Sequence, residues 1–354
     1  MSKTPQKYYQ FKAAACHVAP VFLDTDKTIR KTCRIIAEAA QNGASLIVFP
    51  EAFIPAFPIW TAVQAPIRSH DAFKMLASQA LRVPGPEIEL IQRSARRHGV
   101  YVSIGINEIS DVSVGCIWNT NLFIGSSGEI LNRHRKLVPT FYEKLVHASG
   151  DGAGLRVLDT DIGKIGALIC GENTNPLARY TLMAQGEQVH ISTYPPSWPT
   201  RALNEAGAYD LERAIEIRAA AHSFEAKAFN IVAAGHVDQT MIDWLSKIGP
   251  EAVEIVENSP RGVSMVLDPT GAVISEKLSH EEGIVYADID TSLCVEPKQF
   301  HDVVGYYNRF DVFSLHVNRH RLRPADIGSL DVDVPLLHGS AETEQDAGVL
   351  KVGE

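Results

Sequence analysis

Residues 12–18 form a short apolar run that fits a strand. Asp24, Thr25 and Asp26 then offer helix caps ahead of Ile29, Cys33, Ile36, Ala37 and Ala40, which repeat at helical spacing until Gly43. Residues 45–49 read as the next buried strand. The alternation continues with a helix over 87–98 and strands over 100–106, 120–124 and 130–134, the last two joined by a turn at Ser127–Gly128. Residues 156–159 and 164–169 pattern as a hairpin. Asn175 as N-cap and Pro176 at the first helical position open a helix that Gly186 ends, ahead of a strand over 189–192. A long helix from about 208 to 229 is expected before a strand over 230–234. Residues 262–267 and 272–276, joined by a turn at Pro269–Thr270–Gly271, predict a second hairpin, and 283–289 a final strand.

Strands and helices that interleave in this way, with no linker and no repeat, predict a single α/β domain with helices outside and sheet inside. Several successive strands are joined by tight turns, so the sheets should be mixed rather than wholly parallel. From Arg323 to Glu354 the pattern fades into an acidic stretch rich in Gly, Ser and Asp, expected to be mobile or to pack on a neighbouring subunit.

Composition narrows the function classes. A net charge of −9 over 354 residues, without a basic stripe, argues against nonspecific nucleic-acid binding, which is driven by counterion release from phosphates. The five cysteines (Cys16, Cys33, Cys116, Cys170 and Cys294) are too scattered for a disulfide framework and fit a reducing compartment. Residues 1–11 are polar, unlike a signal peptide, and no uncharged apolar run approaches the roughly 20 residues of a membrane helix. A soluble, cytoplasmic protein with no membrane partner is the expectation.

Cys170 ends the apolar run 165–169 and is followed by Gly171–Glu172–Asn173–Thr174–Asn175–Pro176, which places a thiol where a strand stops and a helix begins. Glu51 closes a second apolar run, while Lys136 and Glu143 lie in the polar stretch 134–143. Each alone has a plain structural explanation: a core cysteine, a solvated strand end, a surface lysine, a helix-surface charge. Together they suggest a covalent hydrolase. A free thiol with a pKa of about 8.5 needs a base, and Glu51, partly desolvated past a buried strand, can be that base. Lys136 supplies positive charge for the sulfur and for the anion formed on attack, with the Gly171 N–H as a second donor.

Three segments, Phe49–Pro50–Glu51–Ala52–Phe53–Ile54, His134–Arg135–Lys136–Leu137–Val138–Pro139–Thr140 and Cys170–Gly171–Glu172–Asn173, resemble, in order, the catalytic blocks of the nitrilase superfamily of carbon-nitrogen hydrolases. Gly150–Asp151–Gly152, His190–Ile191–Ser192–Thr193–Tyr194–Pro195–Pro196 and Tyr306–Tyr307–Asn308–Arg309–Phe310–Asp311–Val312–Phe313 fit as well, so the resemblance runs from about 12 to 321, and the last blocks point to the nitrilase branch. It implies Cys170 as nucleophile, Glu51 as general base, Lys136 as stabiliser of the tetrahedral intermediate and Glu143 as a further catalytic carboxylate. It also implies a four-layer α-β-β-α sandwich without cofactor, pairing into an eight-layer homodimer that often extends into spirals or filaments, with the acidic tail as a candidate assembly element. The domain so defined spans 8–322 and the tail 323–354.

The chain departs from the family pattern at three places. Gly171 stands where Trp often follows the cysteine, His147–Ala148 where Trp-Gly is frequent, and Lys144 where Arg is frequent. The first two put the size and polarity of the pocket in question. Trp60, Tyr142, Tyr194 and Trp198, with Gly171 and Pro195, are the candidate substrate-binding residues, and an aromatic lining would suit aryl or arylaliphatic nitriles. For Trp60 and Trp198 core or interface packing is an equal reading.

The expected reaction is hydrolysis of a nitrile to a carboxylic acid and ammonia, through a thioimidate and an acyl-thioester on Cys170, with some amide by-product. An amidase or carbamoylase of the same superfamily is the alternative, and a non-catalytic assembly protein a second. No metal is expected, because the thirteen histidines form no recognised ligand spacing and His17, His190 and His222 read as structural. The glycines at 150, 152 and 154 lack the context of a dinucleotide fingerprint.

Overall fold

The alternating pattern resolves into eleven strands in the computed structural model, which describes residues 7–207, 209–323 and 325. In chain order they are β1 (Gln10–His17), β2 (Ala44–Val48), β3 (Tyr101–Ile109), β4 (Ile117–Ile124), β5 (Ile130–Arg135), β6 (Leu158–Thr160), β7 (Gly163–Ile169), β8 (Val189–Tyr194), β9 (Phe229–Ala234), β10 (Met265–Leu267) and β11 (Gly283–Asp290). They form a six-stranded sheet of order β11-β1-β2-β3-β4-β5 and a five-stranded sheet of order β10-β9-β8-β7-β6. Both are mixed: β1-β2-β3 and β7-β8-β9 run parallel, and every outer pairing is antiparallel.

Side-chain alternation along each strand assigns the layers. Ala13 and Ala15 of β1 face inward, where they meet Leu46, Val48, Ile165, Val189, Ile191 and Ile231, so the two sheets pack face to face. Ala14 and Cys16 point the other way, toward the helices Thr25–Gln41 and Pro86–His98, which contribute Ile29, Ile36, Ile88 and Ile91. On the far side, the helix Pro176–Met183 covers Leu168 with Ala178 and Leu182, and the helix Leu211–Ala226 covers Val232 and Met265 with Ile215 and Ala219. The result is the four-layer α-β-β-α sandwich. One compact unit ends at Arg321. The acidic tail lies outside the described residues apart from Arg323 and Ala325.

Two expectations are corrected, and three helices are added. The long helix runs only from Leu211 to Ala226, because Asp210 caps its first turn at Arg213 N and Lys227 turns the chain at φ 55° straight into β9, which begins at Phe229. The hairpin over 262–276 shrinks to β10, because Asp268 folds the connection onto itself by accepting from Thr270 N and Ala272 N, and the return segment pairs through isolated bridges, Leu267 with Val273 and Ser264 with Leu278. The helices His70–Gln79, Gln239–Leu245 and Pro250–Asn258 were not anticipated: each is ten residues or fewer, and its apolar spacing spans few turns.

Candidate active site

After β2 the chain passes through Phe49 and Pro50 to Glu51, lying directly on β3: Phe49 N donates to Ser103 O at 2.8 Å and Gly105 N to Pro50 O at 3.2 Å. That approach needs glycine at 105. A Cβ there would stand 2.2 Å from Pro50 O and 2.5 Å from Ala52 N. Beyond Glu51, Ala52 takes φ 46°, and the Asn107 amide donates to Ile54 O at 3.1 Å and Ala56 O at 2.9 Å. Asn107 and Glu108 are polar residues that hid the true end of β3 in the sequence. Both are buried and satisfied, Glu108 by Arg133 and Arg135.

Lys136 is the first residue after β5, its N–H bonded to Asn119 O of β4 at 2.8 Å. Glu143 sits in the 3-10 turn Phe141–Leu145, which Thr140 caps, and its carboxylate accepts from Thr140 N at 2.9 Å. The Lys136 ammonium lies between the two carboxylates, 2.6 Å from Glu51 Oε1 and 2.6 Å from Glu143 Oε2. Asn119 Nδ2 donates to both as well, at 2.7 and 3.2 Å. All four side chains are buried. Glu51 Oε2 is left with no hydrogen bond among the described residues.

Cys170 opens the 3-10 turn Cys170–Thr174 at the end of β7 with φ 47°. Left-handed backbone is costly outside glycine. Of the six such non-glycine residues among those described, Ala52, Phe141 and Cys170 occupy the three segments that carry these side chains. The Cys170 turn is held by Glu172, which accepts from Ile169 N at 2.7 Å, from Leu137 N at 2.6 Å and lies 2.9 Å from His134 Nε2. Glu172 therefore ties the thiol's turn to the residue next to Lys136. Asn173 donates to Cys170 O at 3.2 Å and is itself gripped by Ser192 and by His190, whose other ring nitrogen lies 3.0 Å from Glu187.

Burial and neighbours set the protonation states. Burial pushes the Glu51 carboxyl up to about 7, with the Glu143 charge adding to it and Lys136 opposing. Burial would also raise Glu143, but Lys136 and His147 outweigh it and hold that carboxyl down at about 2. Lys136 resists its own burial because the two carboxylates keep it protonated, well above the ordinary lysine range. Burial and then the Glu51 charge push the Cys170 thiol up, against Lys136 and Arg218. The resting group is a thiol beside a carboxylate of intermediate basicity, an arrangement suited to moving the sulfur proton to Glu51 as the sulfur attacks.

Tyr142, Tyr194 and Trp198 belong to the same apolar cluster as Cys170, with Tyr142 stacked on Trp198 at 4.3 Å. Trp60 is fully buried, its ring packed against Phe22 and Trp244, so its contacts are those of a core residue. Pro195 lies against Gly262, where a Cβ would stand 2.6 Å from Pro195 O. Gly171 faces Thr140, and a Cβ would come within 2.8 Å of Thr140 Oγ1. His147 joins the polar framework: Nε2 lies 2.8 Å from Asn107 Oδ1 and Nδ1 3.5 Å from Glu143 Oε1. Cys170 is only 5% exposed. A cavity of about 450 Å³ lies on the outer side of Tyr142, lined also by Thr61, Phe141, Pro199 and Glu251.

Sequence reading missed Gly105, Asn107 and Asn119. The available signal was polar residues inside apolar strands, which are buried only when paired. Glu187, His190 and His222 also converge, with candidate ligand atoms within 4.8 Å of one another. The two rings stack face to face at 3.6 Å, however, and share Glu187 as hydrogen-bonded partners, which does not aim their nitrogens at a common cation.

This sandwich, with a buried thiol, a lysine and two carboxylates at strand ends, is matched by sequence: residues 12–299 fit the carbon-nitrogen hydrolase family, and the chain belongs to it. Its relatives include a protein named nitrilase from Paraburkholderia phymatum, 36% identical over 87% of this chain and 86% of that one. An aliphatic nitrilase from Rhodococcus rhodochrous is 32% identical over 89% and 85%. Among solved structures, a carbon-nitrogen hydrolase from Helicobacter pylori shares the fold with a TM-score of 0.67 at 20% identity, covering 86% of this chain and 97% of that one.

Proposed function

We propose that the protein is a nitrilase, hydrolysing an organic nitrile to its carboxylic acid and ammonia, with Cys170 as nucleophile. The observation that carries this reading is the Lys136 ammonium between Glu51 and Glu143, at 2.6 Å from each, next to a strained thiol turn. The kinship with proteins named nitrilase favours a nitrile over an amide.

In this mechanism Glu51 takes the Cys170 proton as sulfur adds to the nitrile carbon, and the proton passes to the nitrile nitrogen to give a thioimidate. Water, losing its proton to Glu51, adds to the thioimidate carbon. Lys136 steadies the charge that develops in that tetrahedral adduct. Glu51 returns that proton to the nitrogen, and on collapse the proton of the new hydroxyl follows by way of Glu51, so that ammonia leaves and an acyl-thioester remains. A second water, deprotonated in the same way, displaces the sulfur, which recovers its proton as the acid leaves. Collapse of the first adduct with loss of sulfur instead releases the amide. Glu143 stays ionised throughout, holding Lys136 protonated and in place. In this reading Tyr142, Tyr194 and Trp198, which share an apolar cluster with Cys170, meet the apolar part of the substrate.

The test is ammonia release from aliphatic, aryl and arylacetonitriles and their matched amides, with the protein and C170A side by side. Nitrile turnover that C170A lacks is the expected result. Turnover of amides but not nitriles would move the protein to the amidase reading, and equal turnover by C170A would refute the nucleophile.

The chain also works, in this reading, as a homo-oligomer. Tyr307, Phe310, Val312 and Phe313 are all exposed, and with the helix Pro176–Met183 they border an apolar cavity of about 940 Å³. A contiguous apolar surface of this kind is suited to being covered by a second copy.

A further inference from the structure

A second cavity, of about 570 Å³, lies on the outer edge of the six-stranded sheet. It is lined by Arg133, Arg156, Arg319 and Arg321 together with Asn132, and no carboxylate lines it. For a chain with a net charge of −9, four guanidinium groups around one opening are a marked local reversal of sign.

The cluster is built rather than merely crowded. Arg133 is anchored from behind by the buried Glu108, which it shares with Arg135. Arg321 forms an ion pair with Asp151 at 3.2 Å and donates to Arg133 O at 2.9 Å, which pins residue 321 across the exposed edge of β5. Asn132 Nδ2 donates to Gly154 O at 2.9 Å and so fixes the turn that leads to Arg156. Gly152 permits the C-terminal segment to lie against the same turn, since a Cβ there would stand 2.1 Å from Asn318 O. Arg156 and Arg319 are exposed and pair with no carboxylate among the described residues. Five guanidinium groups, counting Arg135, thus stand against the two carboxylates Glu108 and Asp151. Burial, with the charges of Arg135 and Arg133 adding to it and Asp151 opposing, pulls the Arg321 guanidinium below its ordinary range.

We propose that this arginine cavity is a binding site for a multivalent phosphate-type oxyanion, either free or as the phosphate chain of a nucleotide. Planar guanidinium forks match phosphate oxygens in pairs, and the surplus charge suits an anion carrying more than one negative charge. Its position matters for the candidate site. β5 runs directly into Lys136, and Gly150 N, just before the Asp151 turn, donates to Lys136 O at 2.8 Å. A bound oxyanion would clamp together the strand and the turn that hold Lys136 from either side.

The probes are sodium pyrophosphate and ATP, titrated calorimetrically against the full-length protein, with sodium chloride at matched ionic strength as control. The variants are R156A/R319A, which removes two exposed side chains, and R30A/R97A, which removes the same charge elsewhere on the exposed surface. Saturable binding by the native protein, weakened about tenfold or more in R156A/R319A and unchanged in R30A/R97A, is the expected result. Similar binding of both probes assigns the free oxyanion as sufficient, and binding of ATP alone assigns the nucleotide. No saturable binding of either, or equal weakening in the two double variants, would overturn the proposal.

Discussion

Two buried carboxylates share one ammonium, yet their titrations are split in opposite directions. Burial holds Glu51 at about 7, and the neighbouring Lys136 and His147 hold Glu143 at about 2. A base must be ionised to act, so kcat/KM for a nitrile should fall as the pH drops through about 7. Stability runs the other way. Between the unfolded carboxyl value, about 4.3, and 7, folded Glu51 keeps a proton that the unfolded chain has released, so its contribution to stability declines as pH rises through that window. Glu143 contributes stability above the unfolded value and loses it as pH falls toward 2. Asn119 touches both carboxylates. Asn119→Ala should lower kcat/KM by roughly 10- to 100-fold, the scale of lost hydrogen bonds to charged groups, and move the acid limb to higher pH because Glu51 loses a donor that favours its anion. A pH–rate profile of the variant checks both, and an unmoved limb would contradict the assignment of Glu51. Cys170 and Glu51 are legible in the sequence because each closes an apolar run, and Lys136 because its polar segment 134–140 resembles a catalytic block of the family. Asn119 was not legible, because a polar side chain inside a strand declares its role only when its partners from other segments are known.

Elements were read well where their hydrophobic period was long and their caps were explicit. The helix Thr25–Gln41 begins after Asp24, whose side chain accepts from Lys27 N, and the helix Pro86–His98 starts on proline and ends at a left-handed Gly99. Reading failed where a single backbone angle ended an element, as Lys227 does, or where buried polar residues interrupted an apolar strand, as Asn107 and Glu108 do in β3. The loop carrying Glu51 rests on β3 at Gly105, and this makes a prediction at the level of the element. Gly105→Ala should destabilise the protein by about 3 kcal/mol or more, because the clash is with Pro50 backbone and cannot be relieved by a rotamer change. Urea unfolding beside Gly115→Ala, where a Cβ would meet nothing within 4 Å, measures it. Equal midpoints for the two variants would show that the Glu51 loop is not seated on β3 in solution.

At the scale of the whole molecule, the layers followed from alternation along the strands, since an inward and an outward apolar set on β1 require something on each side. Self-association depends on surfaces that sequence pattern does not describe. Replacing Phe310 and Phe313 by Asp should shift the protein to smaller species in light scattering after gel filtration, while leaving the far-UV circular dichroism unchanged, because both side chains are exposed. An unaltered mass would contradict self-association through this surface. The Cys170 thiol is supplied by the five-stranded sheet, whereas the Glu51 carboxylate and the Lys136 ammonium are supplied by the six-stranded one. Under the proposed mechanism, turnover is a gauge of how the two sheets are seated on each other. A distant substitution that lets one sheet slide by a fraction of an ångström would silence the enzyme while leaving each sheet, taken alone, intact.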